Sequence, residues 1–240
     1  MKNLYVLGID TATLVCSVAL VTEDKLLAEY TLQVKKTHSE RLLPLIAAVL
    51  EDAGVKPKEL DGIAVAAGPG SFTGLRIGVV TAKALGQALE LPLCGISTLE
   101  ALAAQHPLFN GLVCPVLDAR RGQVYNAVFL AGREVLRETD DRAITLSDLL
   151  AELSGRKEHV LFVGDAVKIH RQMLIEALGE RACFVPEEST ICRAATVARL
   201  GLLKLKAAKG QSWQDLVPHY IRRAGAESKF QAVKDLGRNE

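Results

Sequence analysis

The chain has 240 residues, 49% of them hydrophobic and 24% charged, with a formal net charge of +1 at pH 7. That is enough chain to bury a full core, as one large unit or two small ones. A balance so close to neutral excludes the broad basic excess of a protein that grips nucleic acid unaided.

In chain order, Leu4–Asp10 is an apolar run ending in an acid, and Cys16–Val21 and Leu26–Val34 follow with turn residues between them. Together they predict a three-strand meander. From Ser39 the period changes. Leu42, Leu43, Leu45, Ile46, Val49, Leu50 and Ala53 give a helical stripe that Gly54 stops. Pro44 interrupts it, either inside the first turn or as a bend. Ile63–Ala67 predicts a buried strand, GPGSFTG a glycine-rich turn and Phe72–Leu89 a long helix. Leu91–Ile96 predicts a strand, and Ser97–Gln105 a helix capped by Ser97 with Glu100 three residues on.

The pattern then restarts. Leu112–Asp118 is again an apolar strand ending in an acid, with strands predicted at Val124–Leu130 and Glu134–Arg137. A helix near Ser147–Leu153, a strand at Val160–Gly164, a helix at Ala166–Leu178, a strand at Ala182–Val185 and a helix at Arg193–Ala208 complete it. LGIDTATLVCSVALV is thus matched by PVLDARRGQVYNAVF about half a chain later, a degenerate duplication rather than a repeat array. The order β-β-β-α-β-α-β-α, met twice, is that of the two-lobed actin–Hsp70–sugar-kinase (ASKHA) α/β fold. The expected division is 1–108 for the first lobe, 109–223 for the second and 224–240 for a polar tail.

Asp10 begins D-T-A-T, an acid with two hydroxyls at a strand end. Asp10 and Thr11 fit either a residual phosphate contact, with the acid holding magnesium through water, or simple capping of a hairpin turn. AAGPGSFTGLRIG is not a P-loop, because no G-K-[ST] follows, and not a nucleophile elbow. Along the helix after it, Gly74, Gly78, Ala82 and Gly86 recur every four residues and make one smooth face. Each helical glycine costs about 1 kcal/mol against alanine, so close approach of another element is expected. That element is either the lobe's own sheet or a helix of another chain, with the Leu42–Leu50 helix sharing the contact. The five histidines form no metal-ligand spacing, no Ser–His–Asp set can be assembled, and the C-x-x-C pairs of a zinc site are lacking among Cys16, Cys94, Cys114, Cys183 and Cys192. The odd, scattered cysteines fit a reducing compartment. Arg120 and Arg121, in the second hairpin turn, fit either phosphate or RNA contact or a solvated surface. The opening MKNLYVLGID lacks the form of a signal peptide and no apolar run reaches the ~18 residues of a membrane span, so a cytoplasmic protein without membrane contact is expected.

GIDTATLVCSVAL, HSERLLPLIAAVLEDAG, GPGSFTGLRIGVVTAKALGQALELPLCGISTLEAL and LDARRGQVYNAVF resemble the TsaB (YeaZ) family, strongly from Leu4 to Ala131 and more weakly beyond, with Pro218–Arg222 similar to the family's C-terminal end. The resemblance implies a non-catalytic scaffold. It would pair with a TsaD-like paralogue and, with a TsaE-like ATPase, serve threonylcarbamoylation of adenosine in tRNA. The catalytic relative's H-x-x-x-H is incomplete here, since His38 is followed by Leu42. No catalytic residue, metal or cofactor of its own is expected, ATP and magnesium being used by the complex. The resemblance places a partner interface on His38, Arg41, Leu42, Leu45, Ile46 and Val49 of one helix and Gly74, Ile77, Gly78, Thr81, Ala82 and Gly86 of the other. The same face implies a homodimer when the chain is alone. An independent ATPase or small-molecule kinase of the same fold is the alternative, and a peptidase a weaker one.

Overall fold

The computed structural model describes residues 3–33, 38–132 and 135–222; the expected tail 224–240 lies outside them. The meander is β1 (Val6–Asp10), β2 (Cys16–Val21) and β3 (Leu26–Leu32). Helix α1 (His38–Asp52) carries Pro44 in its interior, on its exposed side, rather than in the first turn. Then come β4 (Gly62–Gly68), α2 (Phe72–Leu89), β5 (Leu93–Ser97) and α3 (Thr98–Ala103). The caps fall where the serines stand: Ser71 Oγ accepts from the Gly74 N–H at 3.3 Å, and Ser97 Oγ from the Glu100 N–H at 3.2 Å.

The second half follows the same plan with one insertion. Its strands are β6 (Leu112–Asp118), β7 (Gln123–Asn126), the short β8 (Phe129–Leu130) and β9 (Leu136–Arg137), and β10 (Arg142–Thr145). After them come α4 (Leu146–Ser154), β11 (Val160–Val163), α5 (Ala166–Leu178), β12 (Ala182–Phe184) and α6 (Ala194–Lys206). The sheets run β3-β2-β1-β4-β5 and β10-β7-β6-β11-β12, with β8 and β9 hanging off β6. Taken position by position, the two orders are the same, so the duplication read from sequence is real.

Two expectations are corrected. The third strand of the second half is Arg142–Thr145, which pairs with β7; Leu136–Arg137 pairs with β8 in a side hairpin instead. The single strand expected over Val124–Leu130 is also broken. At the break the buried Asn126 side-chain amide donates to the carbonyls of Pro115 and Ala127, each at 3.1 Å. A central amide with backbone partners bends the chain there, which apolar patterning does not reveal.

Helix α6, expected with the second lobe, packs on the first sheet as well. A Cβ on Gly8 of β1 would lie 2.2 Å from the Ala194 carbonyl, and one on Gly201 of α6 would lie 2.3 Å from Ala64 Cβ in β4. Only glycine permits contact this close. Helices α3 and α6 share one buried core with residues of both sheets, among them Val6, Ala64, Ile96, Leu99, Val113, Phe129, Leu161, Val197 and Leu202. A second core, Leu7, Ile9, Leu42, Ile46, Val49, Val65 and Val79, lies under α1 and α2. A third lies under α4 and α5. Strand β1 is therefore buried on both faces, with Leu7 and Ile9 towards α1 and α2, and Gly8 towards α6.

Candidate functional site

Asp10 ends β1 on the α6 side and is fully buried, as is Thr11. The Asp10 Oδ1 accepts the Ala12 N–H at 2.7 Å, and Asp118 Oδ1 accepts the Arg120 N–H, also at 2.7 Å, at the equivalent turn of the second half. These are the same Asx turn formed twice. The Asp10 Oδ2 has no N–H or O–H donor among the described residues, and the Cys192 thiol stands beside the carboxyl as a weak donor. Burial pushes the Asp10 carboxyl above the ordinary aspartate range, against lesser opposing effects of Cys192, Ala12 and His38. The Thr11 hydroxyl donates to the Gly74 carbonyl at 2.7 Å. The His38 Nε2 lies 2.8 Å from the Thr13 carbonyl, so this histidine props the same hairpin.

This fold class implies a magnesium–nucleotide group at that hairpin, and the residues present do not fit one. Magnesium demands an open octahedral shell and keeps several waters. Asp10 has no exposed surface and one oxygen occupied by the Ala12 N–H. Among the described residues no three His, Cys, Asp or Glu side chains gather as ligands. Of the two readings of Asp10 and Thr11, the turn-capping one describes the geometry.

The smooth face of α2 is also spent inside the chain. A Cβ on Gly74 would lie 2.0 Å from the Thr11 carbonyl, one on Gly78 2.4 Å from Thr11 Oγ1, and one on Gly86 2.7 Å from Leu93 Cδ2. Ala82 is fully buried among the same core residues. Leu42, Leu45, Ile46 and Val49 of α1 are 1%, 9%, 5% and 0% exposed. Eight of the twelve residues expected at the partner interface thus face this chain's own sheet. The helical period that makes such a stripe legible is the period of the core-facing side. His38, Arg41, Ile77 and Thr81 are the four that remain half-exposed.

What the expectation missed lies between the stripes. Helices α1 and α2 lie side by side. Leu43 is 57% exposed and Val80 64%, with Pro44, Ala47 and Ala84 also at the surface and Leu14, 76% exposed, on the hairpin. The signal in the sequence was apolar content beyond the core stripe: Leu42-Leu43 and Val79-Val80 each put one side chain in and one out.

The described chain ends in a segment that ties the halves together. Gln211 exchanges both backbone hydrogen bonds with Leu93 at 2.9 Å, and the His219 N–H reaches the Ala67 carbonyl. Tyr220 packs on Phe72 with ring centroids 4.9 Å apart and accepts from Arg76 Nε at 3.2 Å. Arg222 Nη1 donates to the carbonyls of Ala119 at 2.6 Å and Arg120 at 3.2 Å, in the second hairpin turn. There Arg120 and Arg121 adopt φ of 61° and 54°. Left-handed backbone costs a residue with a side chain roughly 1–2 kcal/mol.

The chain matches the family of tRNA N6-adenosine threonylcarbamoyltransferase (TsaD) over residues 25–230. It is 38% identical over 226 residues to the tRNA threonylcarbamoyladenosine biosynthesis protein TsaB of Bacillus subtilis, covering 94% of this chain and 97% of that one. Among solved structures, YeaZ from Pseudomonas aeruginosa superposes with a TM-score of 0.74 at 25% identity, over 92% of this chain and 100% of the other. The ROK hexokinase of Thermus thermophilus superposes at 0.50 with 13% identity, over 85% of this chain and 100% of the other, a likeness of fold alone. With its two matching sheets, its paired Asx turns and this extent of identity, the chain has the actin–sugar-kinase fold and belongs to the TsaB (YeaZ) family of tRNA threonylcarbamoyladenosine biosynthesis proteins.

Proposed function

We propose that this chain is a non-catalytic scaffold for a TsaD-like subunit in the threonylcarbamoylation of adenosine in tRNA. The observation that carries the reading is the apolar strip left uncovered on α1 and α2, centred on Leu43 and Val80. Fully covering an aliphatic side chain of this kind is worth about 1.5–3 kcal/mol. Two paired helices offering it form a firm surface for a partner of similar build. The enclosed state of Asp10 supports the non-catalytic part of the reading, because the acid that would serve a nucleotide is held inside a turn. In this scheme a TsaE-like ATPase joins the complex, ATP and magnesium are used there, and tRNA enters through it. A second copy of the chain competes for the same strip when the partner is missing. Such a complex works where tRNA is, so the chain is proposed as cytoplasmic; among the described residues no helix is long and apolar enough to cross a membrane.

The test is co-purification with the TsaD-like subunit followed by a reconstituted modification assay, with Leu43→Glu/Val80→Glu beside the natural chain. The natural chain is expected to form the complex and to be required for modification. The double variant is expected to keep its melting temperature and lose association by at least tenfold, since both positions are exposed in the free chain. Unchanged association of the folded variant would remove this surface from the reading. Steady ATP turnover by the pure natural chain, abolished by Asp10→Ala, would favour the kinase alternative and overturn the scaffold.

A further inference from the structure

The tip of the second hairpin gathers three arginines without neutralising them. Arg120 and Arg121 stand exposed in consecutive left-handed positions, where hairpin turns ordinarily use asparagine or glycine. Among the described residues neither side chain has an ion pair or hydrogen bond. Arg222 is fixed to the same loop through the carbonyls of Ala119 and Arg120. Two carboxylates lie by the turn: Asp118, exposed, with one oxygen engaged by the Arg120 N–H, and Asp165, which accepts the Asp118 N–H at 2.9 Å, so three arginines face two acids.

Resting on the tRNA reading above, we propose that Arg120, Arg121 and Arg222 form a contact for the phosphodiester backbone of RNA. Guanidinium forks match phosphate oxygens two at a time. A chain of net charge +1 needs such a local patch if it is to touch RNA at all. Among the described residues the tip is an exposed turn, which suits a long polyanion better than a free nucleotide. A tight hairpin turn itself calls for positive φ at its central residues; what is unusual is that arginine stands there instead of asparagine or glycine.

The experiment measures tRNA binding by the complete complex across a salt series, with complex assembly scored separately. Arg120→Gly/Arg121→Gly removes both cationic heads and the left-handed cost together, so its folding is expected to hold or improve. Arg120→Lys/Arg121→Lys keeps the charge. The glycine variant is expected to assemble normally, to bind tRNA roughly tenfold more weakly and to lower the slope of log affinity against log salt by about 1–2. The lysine variant should keep most of that slope. Natural tRNA affinity and salt slope in an assembled glycine complex would overturn the proposal. So would loss of assembly by the folded glycine variant, which would assign the arginines to a protein partner. If the natural chain fails to assemble with the TsaD-like subunit, the functional reading falls and this proposal with it.

Discussion

Asp10 shows how one side chain changes meaning with its surroundings. On the chain it is an acid at a strand end; in the structure it is a fully buried group with a turn to hold and one oxygen without an N–H or O–H donor among the described residues. Its raised pKa fixes the sign of a pH effect. Both states are neutral below the ordinary aspartate value of 3.8, and the contribution to stability is whole there. As pH climbs from that value through the folded pKa, the unfolded chain ionises first and the stability is lost. Asp10→Asn, which can still accept the Ala12 N–H, is therefore expected to equal or exceed the natural chain in urea midpoint at pH 7. The advantage should shrink as pH falls towards 4. A variant markedly less stable at pH 7 would show that the charged form is the one the fold needs. Nothing in the sequence disclosed that Asp10 would be sealed, because the residue that closes over it, Cys192, lies 182 positions away.

At the scale of elements, α2 carries the clearest contest between local and tertiary terms. In isolation, replacing a helical glycine by alanine gains about 1 kcal/mol. At Gly74 the new methyl would meet the Thr11 carbonyl at 2.0 Å, a backbone atom that cannot swing aside. Overpacking of this kind costs typically 1–3 kcal/mol or more, so the tertiary term should win. Gly74→Ala is expected to destabilise the chain by about 2 kcal/mol, read as a lower melting temperature, while a gain in stability would mean that the hairpin yields. The helix itself was legible to the residue: Phe72–Leu89 was expected and found, and so were Ala166–Leu178 and Cys16–Val21. Strand β10 was not, because Arg142–Thr145 is short, half-buried and offers only Ala143 and Ile144 as apolar markers. The use of the small-residue face was undecidable from spacing, since the chain's own Thr11 and a foreign helix demand the same small residues.

The whole molecule is held by elements that cross between halves. Helix α6, late in the chain, begins against the first sheet. The Ser17 hydroxyl accepts the Ala194 N–H at 3.0 Å, and Glu29 Oε1 accepts the Ala195 N–H at 3.0 Å while Oε2 pairs with Arg193. Glu29 thus caps a helix 165 residues downstream with a side chain only 6% exposed. Removing a helix cap costs about 0.5–2 kcal/mol, and a carboxylate at a helix N-terminus adds a favourable dipole contribution. Glu29→Ala is expected to lower unfolding stability by about 1–2 kcal/mol and Glu29→Gln by less, measured by chemical denaturation. Equal and negligible losses would mean that α6 is seated by apolar packing alone.

By itself the sequence determined most of the element order, the duplication behind the two matching sheets and the membership of a family, because apolar periodicity, cap residues and motif strings are local properties that a linear reading preserves. Only the tertiary structure decided which face of each helix was spent inside and which was left exposed, where α6 would lie, and that Asp10 would be closed in. Each of those outcomes is set by residues far apart in the chain meeting at distances of a few ångströms, and spacing along the chain carries no record of such meetings.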